Sequence, residues 1–250
     1  MWQGIYEELR DHGFVILAIA LDTAGEAAAG AFARAGDAGA LGPLAKRIMG
    51  WSDALWARAG RPTYPCLLDE QHAVAELYDI TNVPMAVWID EEGRIVRPPE
   101  TAGAFDVVRH IDVTTFGIPD EVARQGEESR SHYVDALRDW VRRGRRSRFA
   151  LSPEEIARRS RGPGEAAARA HACFQLAAWL WRHGHADAAR PLFEEAVRLR
   201  PESWAFRRQK LAVADAAAIG NFAAGPEYWE AVQALGDRPY YVPPDLGDES

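Results

Sequence analysis

Apolar side chains recur along the first half of the chain with two different spacings. Trp2, Ile5 and Leu9 lie three or four residues apart, which predicts an amphipathic helix. Residues 14–21 are apolar without interruption, which predicts a parallel strand that helices cover on both faces. Shorter apolar runs predict further strands at residues 64–69, 85–90 and 94–97. The alternation of helix and strand predicts an α/β domain whose last two strands form an antiparallel hairpin.

The second half shows the helical spacing alone. A helix is predicted from about residue 127 to residue 141, where an Arg-rich segment, residues 142–148, begins. This segment is interpreted as a solvated connector. The alternative is that its arginines contact nucleic acid or an acidic partner.

Residues 170–203 fit one tetratricopeptide-like unit, which is a 34-residue helix–turn–helix. Gly184 is placed at the turn, and Pro201 ends the second helix. The positions that should pack between the two helices are Leu176, Ala177, Ala189, Phe193 and Ala196. Cys173 falls on the same inward face and is predicted to be a core residue. A single unit cannot bury its own apolar face, so neighbouring helices must stack on it, and arrays of this kind bind peptides or other subunits.

The composition excludes several classes of protein. Apolar residues make up 48% of the chain and charged residues 26%, as in an ordinary globular protein. Only two cysteines occur, so no disulfide framework is predicted and the reducing cytoplasm is the expected location. No apolar run reaches the ~18 residues that a membrane helix needs, and no membrane partner is expected.

Charge is distributed unevenly along the chain. Residues 1–120 carry 9 basic and 18 acidic side chains, whereas residues 121–250 carry 20 basic and 19 acidic ones. The chain as a whole has a formal charge of −8. Because phosphate binding depends on positive charge, nucleic acid is an unlikely main partner.

The first half also resembles a known family in the order of its motifs. The matching segments are residues 5–22, 65–69, 75–80 and 82–96, the last of which reads Asn-Val-Pro-Met-Ala-Val-Trp-Ile-Asp-Glu-Glu-Gly-Arg-Ile-Val. In this order they resemble the thioredoxin-like fold, and within it the ResA/TlpA-type thiol–disulfide oxidoreductases, relatives of the AhpC/TSA redoxins. The resemblance covers about residues 1–112. It implies thiol–disulfide exchange or peroxide reduction as the reaction.

The resemblance assigns a role to Val83 and Pro84. The matching proline of the family has a cis peptide bond and lies at the lip of the active site. Val83 and Pro84 would then offer a backbone edge to an extended segment of a partner. The alternative is that Pro84 merely begins a strand, where a missing N–H is harmless. Predicted partners are therefore a protein or peptide at the Pro84 loop and at the helical module.

Two parts of the family pattern are missing from the sequence. The family carries Cys-x-x-Cys, or one peroxidatic cysteine, at the start of its first helix, where the helix lowers the thiol pKa. Here that helix is already under way at Trp2, and no cysteine precedes Cys66. Also missing is the family's central strand, which would lie between the strands at 14–21 and 85–90.

Three explanations of the missing strand stay open. The sequence is shortened and upstream residues carry the strand and the cysteines, or the protein is a relative without redox chemistry, or another segment or chain fills the slot. Each buried N–H or C=O group left unpaired costs about 1–3 kcal/mol, and several such groups rival the whole stability of a domain. This cost favours the shortened sequence.

Other candidate chemistry is sparse. Cys66 is the remaining redox candidate, but its predicted place in a buried strand favours a small apolar core residue with a raised pKa. His183 and His185 suggest a metal site, yet no nearby cysteine or third ligand accompanies them, so a polar turn is favoured. No metal or cofactor is predicted.

These observations combine into one architecture. We expect a thioredoxin-like α/β domain at 1–115 without its first strand and Cys-x-x-Cys, a helical connector at 116–150, an all-α tetratricopeptide-like module at 151–236, and an extended surface tail at 237–250. The expected function is that of a redoxin-family protein whose redox cysteines are absent from this chain. The alternative is a non-catalytic adaptor that uses both parts to hold protein partners.

Overall fold

The computed structural model describes residues 2–29, 42–112, 114–115, 117–160, 162, 164–214 and 225–247. The elements of the first half are α1 (Trp2–Leu9), β1 (Ala18–Ala20), α2 (Gly42–Met49), α3 (Asp53–Ala57), β2 (Cys66–Leu68), α4 (Ala73–Leu77), β3 (Met85–Ile89) and β4 (Ile95–Thr101). Those of the second half are α5 (Asp120–Arg143), α6 (Pro153–Arg159), α7 (Glu165–Arg182), α8 (Ala186–Leu199), α9 (Trp204–Ala214) and α10 (Gly225–Gln233). The chain is therefore mixed α/β, and all the strands that the structure describes lie in its first half.

The described strands form two separate two-stranded sheets. β1 and β2 are parallel, with Ala18 opposite Cys66. β3 and β4 form an antiparallel hairpin that begins with Met85 opposite Thr101 and contains two irregularities of register. No ladder joins the two pairs within the described residues, so β1 and β3 each pair on one side only.

The strand predicted at residues 14–21 is shorter and less buried than expected. Only Ala18–Ala20 pair with a neighbour, and the Val15 and Leu17 side chains are 63% and 61% exposed. A continuous apolar run is buried on both faces only where a wide sheet is covered by helices on each side. A two-stranded sheet lacks that cover, and the prediction of full burial is wrong.

The main core joins the first half to α5. It is built from large apolar side chains of α1, the α2–α3 region, the hairpin and α5, namely Ile5, Leu9, Trp51, Leu55, Trp88, Val96, Tyr133, Val134 and Leu137. The two segments approach closely where Gly50 meets Gly126: a Cβ at Gly50, whose φ is +65°, would lie 2.3 Å from the Gly126 carbonyl oxygen. Helix α5 is thus part of this core, because its apolar face finds partners that the sequence alone does not identify.

The Arg-rich segment after α5 is folded against the hairpin. Phe149 is buried in the main core, and Ser147 is also buried. The Arg145 guanidinium contacts the Asp90 carboxylate at 3.0 Å. The five arginines at 142, 143, 145, 146 and 148 are nevertheless all exposed, as the prediction of a solvated connector requires. The segment is thus a solvated connector that Ser147 and the Arg145–Asp90 contact hold against the hairpin.

The second half contains the expected helical hairpin. Helices α7 and α8 are joined at Gly184, which has φ +81°, and Ala177, Ala189, Phe193 and Ala196 are all buried between them. The Phe206 ring of α9 stacks on Phe174 with centroids 4.4 Å apart, so a neighbouring helix covers the hairpin. Residues 215–224 of this module lie outside the described residues.

Two details of the hairpin correct the sequence analysis. Leu176 is 50% exposed, because its neighbour Ala177, a small residue, takes the position that faces the second helix. Cys173 is half-buried at the edge of the hairpin core rather than enclosed in it. In the part of the chain that the structure describes, none of these helices combines the length and the apolarity needed to cross a bilayer.

Candidate functional site

The loop before β3 carries the residues that the sequence analysis assigned to partner binding. The Val83–Pro84 peptide bond is cis, as the resemblance implied. Pro84 is exposed and Val83 is half-buried, and the Ala102 N–H donates to the Pro84 carbonyl at 3.3 Å. Asn82 is buried and stabilises the loop, because its Oδ1 accepts the Val83 N–H at 2.9 Å. The structure therefore presents Val83 and Pro84 at the surface end of the hairpin.

The C-terminal tail packs directly on this loop. Asn82 Nδ2 donates to the Tyr240 carbonyl at 3.1 Å, and the Tyr241 hydroxyl donates to the Val83 carbonyl at 2.8 Å. Tyr240 and Tyr241 are 3% and 5% exposed, so the prediction of a surface tail is wrong at these positions. The reason is that two tyrosines bury a large apolar area while their hydroxyls still find partners.

Beyond Tyr241 the tail follows the outer edge of β4 in the antiparallel sense. Thr101 Oγ1 donates to the Val242 carbonyl at 2.6 Å, and Arg97 Nη2 donates to the Asp245 carbonyl at 2.6 Å. Prolines occur on both sides of this contact, at 98–99 in β4 and at 243–244 in the tail. Because proline has no N–H, side chains make the contact and the edge is covered without a backbone ladder.

Arg97 anchors the far end of the tail. Its side chain is 1% exposed, pairs with Glu100, and also donates to the Phe149 carbonyl at 2.9 Å. Burial raises the pKa of Glu100, while the hydrogen bonds and charge of Arg97 lower it. A buried arginine that satisfies one carboxylate and two carbonyls ties β4, the segment after α5 and the tail together.

A groove of about 780 Å³ opens beside the loop. Its walls come from the loop (Thr81, Asn82, Met85), from α4 and β4 (Leu77, Tyr78, Pro99, Thr101), from the start of α9 (Pro201, Trp204, Arg207) and from the tail (Arg238, Tyr240, Val242). The volume lies within the range of sites that bind small molecules or peptide segments. The groove brings Asn82, a neighbour of the predicted partner-binding residues, together with both the helical module and the tail.

Neither cysteine lines this groove. Cys66 is exposed at the first position of β2, and its Sγ lies 3.7 Å from the Tyr64 carbonyl oxygen. The prediction of a buried Cys66 is wrong because β2 is an edge strand whose neighbours Leu67 and Leu68 are exposed as well. Both thiols are free. The structure therefore brings no sulfur to the proposed partner-binding loop.

The two histidines at the turn of the helical hairpin do not form a metal site in the described structure. His183 Nδ1 lies 2.7 Å from the Trp179 carbonyl oxygen, and its ring stacks on the Trp179 ring. Across the described ranges, no group of three or more His, Cys, Asp or Glu side chains is placed to hold a metal ion.

A buried polar cluster that the sequence did not reveal joins the two halves. His72 is 2% exposed, and its Nε2 lies 3.1 Å from Thr23 Oγ1. The Thr23 N–H donates to Gln209 of α9 at 2.8 Å, and the His72 ring packs edge-on against Phe174 of α7. Burial lowers the pKa of His72 to about 4, so this histidine is neutral near pH 7.

A second polar contact between the halves borders the groove. Asp79 Oδ1 lies 2.7 Å from Arg200 Nη1, and the same nitrogen lies 2.8 Å from His171 Nε2. His171 and Arg200 hold the pKa of the Asp79 carboxyl well below its usual range. The carboxylate is therefore charged under physiological conditions and locks the end of α4 to the α8–α9 junction.

No protein-family model, curated protein or solved structure matches this chain.

Proposed function

We propose that this chain is a redoxin-family, thioredoxin-like scaffold fused to a tetratricopeptide-like helical module, and that it recognises a protein partner without thiol–disulfide chemistry of its own. The observation that carries the proposal is the strand arrangement. A parallel pair, β1–β2, and an antiparallel hairpin, β3–β4, follow each other in the chain order of the family, with the Val83–Pro84 loop leading into the hairpin. Two free thiols also fit a cytoplasmic location.

The positions of the two sulfurs favour a binding role over a catalytic one. Thiol–disulfide exchange needs an accessible thiolate beside the surface that holds the partner. Cys66 is accessible but lies on β2, which pairs with β1 and is not part of the groove. Cys173 lies on α7 among apolar side chains of the helical hairpin.

The edge of β1 that faces away from β2 has no strand neighbour among the described residues, and it supports partner recognition. The Ala18 N–H donates to the Pro65 carbonyl at 3.0 Å, and the Asp69 N–H donates to the Ala20 carbonyl at 2.8 Å. Since alternate residues of a parallel strand bond to one neighbour, the N–H of Ile19 points to the opposite edge. An unpaired edge is a template on which another chain can add a strand.

An insulin-reduction assay with dithiothreitol tests the proposal. We expect the protein to give the same rate as dithiothreitol alone, because no thiol lies beside the Val83–Pro84 loop. The Cys66→Ser and Cys173→Ser variants should match the wild type. Robust turnover that Cys66→Ser abolishes would contradict the proposal and assign the chemistry to Cys66.

A second candidate is a complete oxidoreductase whose strand and Cys-x-x-Cys lie outside these residues. The one-sided pairing of β1 and β3 favours it, because unpaired strand edges are costly when buried. The DNA immediately upstream of the Met1 codon separates the two candidates. An in-frame strand-like run followed by Cys-x-x-Cys supports the oxidoreductase, whereas a stop codon directly before Met1 supports the scaffold.

A further inference from the structure

The acidic side chains around the groove are mostly neutralised by the protein itself. Four carboxylates on its walls form ion pairs with arginines, namely Asp79 with Arg200, Glu100 with Arg97, Glu202 with Arg200 and Asp245 with Arg159. The remaining one, Glu76, contacts the Gln175 amide at 3.4 Å. The chain as a whole is negatively charged, yet most of the carboxylates that line the groove are already paired with arginines.

Two arginines on the same walls have no carboxylate partner among the described residues. Arg207 stacks over the Trp204 ring at 5.3 Å, and its Nε is buried without a hydrogen-bond acceptor. The charge of Glu227 acts on the Arg207 guanidinium, but the Glu227 carboxylate already pairs with Lys210 Nζ at 2.7 Å. A buried N–H donor without an acceptor is uncommon, and here it leaves the Arg207 guanidinium without a carboxylate or carbonyl partner at Nε within the described residues.

Arg238 is the second unpaired cation of the groove. Its Nε reaches only the Leu235 carbonyl of the preceding turn, at 3.4 Å. Arg238 opens the tail, whereas Arg207 belongs to α9, so two different elements each contribute one unpaired guanidinium to the groove. Guanidinium groups bind carboxylates with paired N–H donors, which makes them the usual recognition element for acidic groups.

The rim of the groove favours a polypeptide over a small ligand. Leu77 and Val242 both line it, and their side chains are 82% and 67% exposed. A small molecule is enclosed for most of its surface by its pocket, which leaves such outlying apolar side chains unused. A peptide chain that runs through the groove would cover them and remove exposed apolar surface from water.

We propose that this groove binds an extended acidic segment of a partner protein, with Arg207 and Arg238 pairing with its carboxylates and the exposed Leu77 and Val242 side chains covering its apolar residues. The inference deepens the proposed function, on which it rests, by naming the chemistry of the partner. The groove lies between the loop, the tail and α9, outside the buried interface of the α7–α8 hairpin.

Selection from a phage-displayed library of random 12-residue peptides tests the inference on the full chain. We expect the selected peptides to be enriched in Asp and Glu relative to the unselected library. A labelled selected peptide, measured by fluorescence anisotropy, should lose about tenfold in affinity for Arg207→Gln and again for Arg238→Gln, which corresponds to one charge-assisted contact each.

Matched controls separate charge from folding. Arg190→Gln changes an exposed arginine of α8 that pairs with Asp187 away from the groove, and it should bind like the wild type. Arg207→Lys keeps the charge and should retain part of the affinity that Arg207→Gln loses. Circular dichroism of each variant shows whether it is folded.

Every other outcome of the selection overturns the inference. These outcomes are no enriched peptide, enrichment without acidic residues, binding that Arg207→Gln leaves unchanged, or self-association that Arg207→Gln abolishes, which would make a second copy the occupant. Peptides that bind independently of Arg207 would leave the scaffold proposal standing. Insulin turnover that depends on Cys66 would instead remove the scaffold proposal and leave the groove result intact.

Discussion

The helical hairpin and the strand pairs of this protein satisfy their backbone and apolar groups to very different degrees. In the hairpin of α7 and α8, Phe174, Ala177 and Ala196 are fully buried, and Phe206 of α9 packs into the same core. In the parallel pair of β1 and β2, by contrast, Leu67 and Leu17 are 49% and 61% exposed. The first unit encloses its core, although Leu176 and Trp179 are about half exposed on its outer face. In the second unit, β1 also lacks a strand neighbour on one side within the described residues.

The difference follows from the range of the contacts that each structure needs. A helix satisfies its own backbone, and its apolar stripe needs only a neighbour that a short turn can supply. A strand satisfies half of its backbone groups at each edge, and a short turn can supply only one of its two neighbours. The other neighbour comes from a distant part of the chain or from another molecule. The strand pairs are therefore where a partner can add the most, which fits a scaffold that recognises another protein.

The largest expected effect is in the closed unit. Phe174→Ala removes a fully buried ring that packs on Phe193, Phe206 and His72. We expect the free energy of unfolding to fall by about 3–5 kcal/mol, the usual cost of emptying such a site. Urea denaturation followed by circular dichroism measures it, and a loss below about 1 kcal/mol would mean that the hairpin core is loose.

A pH titration examines the junction between the two units. Because burial lowers the pKa of His72 to about 4, the folded state binds this proton less readily than the unfolded chain, whose histidine pKa is near 6.5. The stabilisation is complete above pH 6.5 and is lost as the pH falls towards 4, by up to about 3 kcal/mol.

The variant His72→Asn gives the control for this titration, since asparagine tolerates the positive φ of 53° at this position. Asp69, Arg182 and His171, whose charges act on His72, are present in both proteins. The wild type should lose more stability than the variant between pH 6.5 and pH 4. Equal losses would show that His72 does not titrate as a buried group.

A smaller effect is expected in the main core. The Trp88 indole N–H donates to the Tyr133 hydroxyl at 2.7 Å, and both residues are buried. Tyr133→Phe leaves this donor without an acceptor and should lower the free energy of unfolding by about 1–3 kcal/mol. Tyr6→Phe, which removes the hydroxyl of a half-buried residue, is the matched control and should change the free energy of unfolding by less than about 0.5 kcal/mol.

The smallest effect is expected on the strand pair. Leu67→Ala shortens a side chain that is half exposed, so the free energy of unfolding should change by less than about 0.5 kcal/mol. The same urea titration measures it. A loss of 2 kcal/mol or more, typical of a buried leucine, would show that β2 is covered in solution.

The local spacing of apolar residues predicted most of the helical half. Ala177, Ala189, Phe193 and the turn at Gly184 were all placed correctly, because a 3.6-residue repeat and a glycine turn are local properties. The exposure of Leu176 was not predicted, since the repeat leaves the choice between two adjacent inward positions to the neighbouring helix.

Residues whose surroundings come from distant segments could not be predicted in this way. The sequence predicts that Cys66 lies in a buried strand. Its burial depends on sheet neighbours that are not found among the described residues, and Cys66 is exposed. The sequence predicts that Tyr240 and Tyr241 belong to an exposed tail, yet they pack on a loop about 160 residues away along the chain. His72 gave no signal, because its role depends on Thr23, Phe174 and Gln209 together.

Amide hydrogen exchange, read residue by residue, tests the contrast between the two units most directly. Ile19 is the residue of β1 whose N–H points to the edge away from β2, and Ala177 lies buried in the middle of α7. We expect Ile19 to exchange at least about a hundredfold faster than Ala177, with Ala18 slower than Ile19 within the same strand. Equal protection of Ile19 and Ala177 would show that the edge of β1 is paired, and would contradict the account.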